Sequence, residues 1–171
     1  NKAPRRKPSP YEHVPSEVCY HHELFHTLAW WLDSDFNISN EVNAAMARPG
    51  RASNTNRQRC DLFISGKRGG ASAWRCAVEL CASANAMEIN DHFEQAVNYG
   101  KALKASETWM INFEVCGENG EAPELLWPTR SDNGEDRYAG LSVINIVHDI
   151  NWTKADVYVE GKDKPHVELR L

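Results

Sequence analysis

Apolar side chains recur at three- and four-residue spacing between Glu17 and Asp33, where Val18, Leu24, Phe25, Leu28, Trp31 and Leu32 mark one stripe. That period is helical, so the segment predicts an amphipathic helix with one face against a core, opened by Ser16 as N-cap. Prolines at 4, 8, 10 and 15 keep the first sixteen residues out of regular structure. Phe36, Ile38 and Val42 partly alternate and predict a strand over 36–44. Two runs of stronger strand character, RCDLFIS from Arg59 and WRCAVELCAS from Trp74, flank the turn-rich KRGGAS and predict a hairpin. Asn90 or Asp91 then caps a helix reaching about Lys104, with Phe93, Ala96, Val97, Tyr99 and Leu103 on one side. TWMINFEV from Thr108 reads as a buried strand by its aromatic and β-branched content. Beyond the polar stretch from Gly117 to Gly140, Leu141–Asp149 and Ala155–Glu160 read as two more strands. This order describes an α/β fold in which a mixed central β-sheet is flanked by helices.

Composition adds bounds. The chain has 171 residues, 42% apolar and 25% charged, which predicts one globular domain over 17–171 behind a basic, proline-rich linker at 1–16. A net charge of -5 excludes a uniformly basic nucleic-acid binder but not a local basic groove. The cysteines at 19, 60, 76, 81 and 116 form no CxxC pair, so free thiols and an intracellular working place are expected rather than a disulfide framework or a thiolate zinc site. No run approaches the ~20 apolar residues of a membrane span, so no membrane partner is expected. Lys2, Arg5, Arg6 and Lys7 suit either a nuclear-import patch or an ordinary linker.

The chemistry lies in the hairpin. Strand side chains alternate faces, so Asp61 and Phe63 share one face, Glu79 and Cys81 share one face, and pairing of the two strands can bring Asp61 and Glu79 together. Apposed carboxylates repel, and a hard divalent cation resolves the repulsion; Mg²⁺ takes one or two carboxylates plus waters. Such a cation acidifies a water for in-line attack on a phosphodiester and neutralises charge on the phosphate oxygens. The plainer alternative makes Asp61 an ordinary strand acid paired with Arg59 or Lys67, and Glu79 one half of an ion pair.

A helix with an internal glutamate (Glu23), a strand ending in an acid-bearing NEV (Glu41), then RCDLFI, CAVELC and a further helix resemble the PD-(D/E)XK nuclease superfamily over residues 17–160. More closely, SEVCYHHELFHTL, the R-x-D-x-x-I and A-V-E-L strands, HFEQAVNYGKAL and WMINFEV look like the C-terminal domains of Crinkler-type secreted effectors. The resemblance implies a restriction-endonuclease-like core and metal-dependent DNA cleavage in host cells, with the host nucleus as the working place. It implies that Asp61 and Glu79 ligate Mg²⁺ or Mn²⁺, that Leu80 lends its main-chain carbonyl, and that Glu23 or Glu41 assists. Gln95 and Tyr99 match a Q-x-x-x-Y element that positions nucleic acid in RecB-like members. The superfamily's lysine, two positions past the glutamate, is Cys81 here, and a thiol supplies no fixed positive charge. Lys101, Arg75 or Lys67 would have to provide it. Without such a cation the domain becomes an inactive module that binds nucleic acid or a host protein.

Two further patterns compete. His22-Glu23-Leu24-Phe25-His26 spells H-E-x-x-H, which on a helix sets two histidines to ligate zinc beside a general base. Little chain precedes it to form a substrate edge, no third ligand is evident, and the position six beyond His26 is Leu32, so exposed histidines are the favoured reading. Trp30, Trp31, Trp74 and Trp109 fall in periodic apolar segments and are expected in the core, leaving Trp127 and Trp152 free for contacts. Arg48, Arg51, Arg57 and Arg59 are candidate phosphate contacts, or simply a solvated loop.

Overall fold

A computed structural model describes residues 15–32, 34–43, 59–68, 72–82, 84–117, 121, 123–129, 136–160 and 167–170. The elements are α1 (Glu17–Trp31), β1 (Phe36–Asn43), β2 (Arg59–Arg68), β3 (Ser72–Ala82), α2 (Ala86–Leu103), β4 (Glu107–Val115), β5 (Leu141–His148), β6 (Lys154–Val159) and β7 (Val167–Arg170). All seven strands form one sheet in sequence order. β1, β2 and β3 pair antiparallel, β3, β4 and β5 pair parallel, and β6 and β7 return antiparallel. The α/β fold with a mixed central sheet therefore holds. The parallel step from β3 to β4 needs a crossover, and α2 supplies it.

Alternation divides the central strands between two cores. Cys76, Val78 and Leu80 of β3 pack with Tyr20, Leu24, Phe25 and Leu28 of α1. On the other face Cys81 packs with Ile89, Phe93, Ala96 and Val97 of α2, while Ala77 packs with Tyr99. α1 is fixed by Tyr20, whose ring stacks on Phe113 at 4.4 Å and whose hydroxyl meets Nε2 of the fully buried His148 at 2.7 Å. Nδ1 of His148 donates to the Asp149 carbonyl at 2.8 Å, so Nε2 is the acceptor and the Tyr20 hydroxyl donates to it. Burial lowers the His148 pKa, in keeping with that neutral tautomer. Trp152, in the left-handed region at φ 57°, stacks on the imidazole at 3.6 Å and also meets the Tyr20 ring at 5.6 Å.

Several expectations are corrected. α2 begins five residues before the expected cap: Asn85 accepts from the backbone of Met87 and Glu88, and Glu88 accepts from the Asn85 N–H, a reciprocal capping box. Trp30 and Trp31, expected in the core, are 87% and 74% exposed at the end of α1. Trp127 was expected to be free and instead packs against the α2-side core. The hairpin strands run further toward the turn than expected, and β7 had no signal in the periodicity.

Two variants test these supports by urea denaturation. Tyr20→Phe leaves the His148 acceptor unpaired in a dry site and should cost about 1–3 kcal/mol. Gly100→Ala would place its Cβ on the Thr108 hydroxyl where α2 meets β4, and should cost a similar ~1–3 kcal/mol through overpacking. An unchanged midpoint for either would contradict the contact.

Candidate active site

The site forms where β2 and β3 part. Their register runs from Arg68–Ser72 to Leu62–Val78, whereas β2 continues beside β1 as far as Arg59. At the parting, Oδ2 of Asp61 accepts the Leu80 N–H at 2.8 Å, so a side chain takes the place of a ladder bond. The Asp61 carbonyl accepts from Nε2 of His21 on α1 at 3.1 Å. Burial raises the Asp61 pKa, and the Leu80 N–H opposes that shift.

Glu79 lies beside it, 4% exposed. Its Oε1 meets Nδ1 of His92 at 3.0 Å, while Oε2 is buried with no hydrogen-bond partner. Burial first, and then the neighbouring Asp61 and Glu17 carboxylates, push the Glu79 pKa up to about 8 against the opposing pull of His92. His92 is pushed up to about 10 by the Cys81 sulfur and by Glu79, with desolvation working against them. The two groups are coupled: the Glu79 carboxylate raises the imidazole pKa, and the imidazole pulls the Glu79 pKa down against burial.

α1 contributes Glu17, whose pKa is raised by burial and then by the Asp61 charge. Tyr99 of α2 sits close enough that burial and then the Glu79 and Asp61 charges raise its pKa, and its hydroxyl reaches Oε1 of Gln95 at 3.4 Å. The same face continues in polar form. Cys81 is in register with Asn112, and Asn112 with Asn145; Nδ2 of Asn112 donates to Oδ1 of Asn145 and to Oε1 of Glu114, both at 3.0 Å, while its own Oδ1 is buried and unpartnered.

The sequence-predicted residues divide accordingly. Asp61 and Glu79 come together, and Gln95 and Tyr99 lie on the helix above them. The Leu80 group that engages the site is its N–H. Asp61 pairs with neither Arg59 nor Lys67, since Arg59 forms an ion pair with Glu41. Both partners of that pair are substantially exposed, so it adds little stability, although the Glu41 charge still acts on Asp61. Glu23 and Glu17 are both exposed, and Glu17, about one and a half turns earlier, is the α1 carboxylate whose charge acts on the acids. Lys101 does not reach them: it lines a pocket with Gly140 and Leu141 near the far end of α2, roughly half a turn out of phase with His92. Lys67 and Arg75 line a cleft further along the sheet. His22 and His26 are exposed with ring centroids 6.3 Å apart, and among the described residues no group of three or more His, Cys, Asp or Glu side chains is arranged to hold a metal ion. Arg48, Arg51 and Arg57 lie outside the described residues, as does the 1–16 linker apart from Pro15 and Ser16.

His92 is the residue that sequence reasoning missed. With the cap at Asn90 or Asp91 it falls in the first turn; with the cap at Asn85 it sits within the helix, above the end of β3. The N-x-x-E spacing of Asn85 and Glu88 was the available signal. Cys81, His92 and Glu79 also line up as thiol, imidazole and carboxylate, the order of a nucleophilic triad. At 1% exposure the thiol is closed to substrate and packs in the α2-side core.

This arrangement has a spectroscopic consequence. The His92 ring should stay protonated through pH 8 in a proton NMR titration, and Glu79→Gln should move its midpoint down by at least one unit. A ring that titrates near 6.5 in both proteins would refute the pairing. Comparison with family models, curated proteins and solved structures finds nothing that matches this chain.

Proposed function

We propose that the domain is a divalent-cation-dependent phosphodiesterase acting on nucleic acid, DNA first, built on a PD-(D/E)XK-like core with His92 as the cation in place of the missing lysine. The order of helix, three-stranded antiparallel meander, crossover helix and parallel strand supports the core assignment. The observation that carries the function is the unpartnered, buried Oε2 of Glu79 next to Asp61. A buried carboxylate oxygen without a donor is costly, and a hard cation is the partner that two adjacent acids suit.

Asp61 and Glu79 would hold Mg²⁺ or Mn²⁺, which supplies a water of lowered pKa and neutralises phosphate charge. Two carboxylates plus waters satisfy such an ion, so a third protein ligand is not required. The Leu80 N–H fixes the Asp61 carboxylate, leaving its other oxygen for the ion. His92 holds Oε1 of Glu79, which leaves Oε2 for the ion, and would place a positive charge beside the acids, where it stabilises charge developing on the phosphate oxygens. The unpaired Glu79 proton must leave before a cation binds, so binding is coupled to pH.

Cleavage of plasmid with Mg²⁺ or Mn²⁺ tests the reading. Asp61→Asn and Glu79→Gln should each reduce the rate by at least ~10²-fold, and His92→Ala by ~10²-fold with partial recovery in His92→Lys. Cleavage that survives both acid substitutions would rule out this site, and DNA binding without cleavage in the wild type would leave an interaction module. The rate should climb from pH 6 toward about 8 as Glu79 loses its proton, and fall above about 10 as His92 loses its charge. A profile flat from pH 6 to 8 would contradict the proton-release step.

A further inference from the structure

α2 covers β3 and β4 closely and β2 hardly at all, so among the described residues no helix covers the α2-side face of β1 and β2 alongside it. Successive residues on this face of β2 are Asp61, Phe63, Ser65 and Lys67. The acids lie at one end. At the other end a cleft of about 830 Å³ is lined by Asp35, Phe63, Ser65, Lys67, Arg75 of β3 and Lys104 at the end of α2. Lys67, Arg75 and Lys104 have no carboxylate partner among the described residues. In a chain of net charge -5, three cations against the one carboxylate of Asp35 give this cleft a local excess of positive charge that composition hides.

We infer that this cleft is a track for the sugar-phosphate backbone of a nucleic acid, with Lys67, Arg75 and Lys104 on the phosphates and the strand leading along β2 to Asp61 and Glu79. The inference rests on the proposed phosphodiesterase and names where its substrate lies. From Asp61 to Lys67 is about 20 Å at ~3.3 Å per residue, a span that about six nucleotides of one duplex strand cover. Phe63 and Ser65 on the floor offer an apolar surface and a hydroxyl between the two charged ends. The arrangement separates tasks: lysine and arginine attract and orient the polyanion, while the acids at the far end are spared direct repulsion by the imidazolium beside them.

Fluorescence anisotropy of an end-labelled 20-nucleotide DNA, single-stranded in one arm and duplex in the other, measures binding in EDTA, where cleavage plays no part. Lys67→Glu and Lys104→Glu should each weaken binding at least fivefold. The combined Lys67→Glu, Arg75→Ala, Lys104→Glu protein should weaken it at least fiftyfold, with a log–log salt slope shallower by about 2–3. Arg137→Glu is the control: it reverses an exposed cation already paired with Glu94, away from the cleft, and should change affinity less than twofold. The arm that binds more tightly identifies the form of the strand. Equal losses in Arg137→Glu and the cleft variants would show that only net charge matters and would overturn the track, as would no binding in either arm. Thermal melting of each variant separates lost binding from lost folding. The binding measurement decides the track even if Asp61→Asn and Glu79→Gln leave cleavage untouched, and unaffected binding overturns it even if those acids prove catalytic.

Discussion

The structure turns on a carboxylate that is almost wholly removed from water. Glu79 sits near the end of a central strand, where an isolated charge would cost several kcal/mol, and the surroundings answer this in two ways. His92 takes one oxygen in a hydrogen bond, and burial raises the pKa of the group against that pull. The imidazole depends in turn on Glu79 and the Cys81 sulfur for its charge. Asp61 is held separately by the Leu80 N–H, so the two acids approach without sharing a partner.

That local arrangement needs a particular sheet. Were β2 and β3 paired along their full length, the Leu80 N–H would not be free for a side chain; the ladder stops at Leu62, and the aspartate fills the gap. Beyond this point β3 is held by β4 instead, with register intact through Ala82. The parting of the two strands thus sets the Asp61 carboxylate against a strand held on its far side by β4, and a fixed carboxylate favours a preorganised site. α2 leans over β3 and β4, and among the described residues no helix covers the same face of β1 and β2.

α1 closes the other side. Its anchor is the stack of Phe113, Tyr20, His148 and Trp152, which ties the first helix to β4, β5 and the turn after β5. One residue beyond Tyr20, His21 reaches the Asp61 carbonyl, and three residues before it, Glu17 adds negative charge to the pocket. Long-range packing of α1 therefore bears on the electrostatics of the acids. Trp30 and Trp31 are exposed because the packed stripe runs through Leu24, Phe25, Leu28 and Leu32 and turns both indoles away from the core.

Periodicity by itself determined that there would be two helices, a hairpin carrying Asp61 and Glu79, and buried strands after the second helix, because alternation and helical spacing are local properties that burial enforces. It also set Asp61 and Phe63, and Glu79 and Cys81, on shared strand faces. It did not find β7, whose four residues alternate too briefly to register, or the Asn85 cap, because Asn90 and Asp91 offered equally good side chains nearer the apolar stripe. Only the tertiary structure decided which cation faces the acids. Lys101 and His92 lie on one helix within nine residues of each other, and the direction each points is fixed by where α2 starts and how it rotates onto the sheet. It likewise replaced Glu23 with Glu17 as the α1 carboxylate near the site, because Tyr20, Leu24 and Leu28 bury one stripe and turn Glu23 to solvent. A charge is placed by packing between elements distant in sequence, and no local pattern encodes that distance.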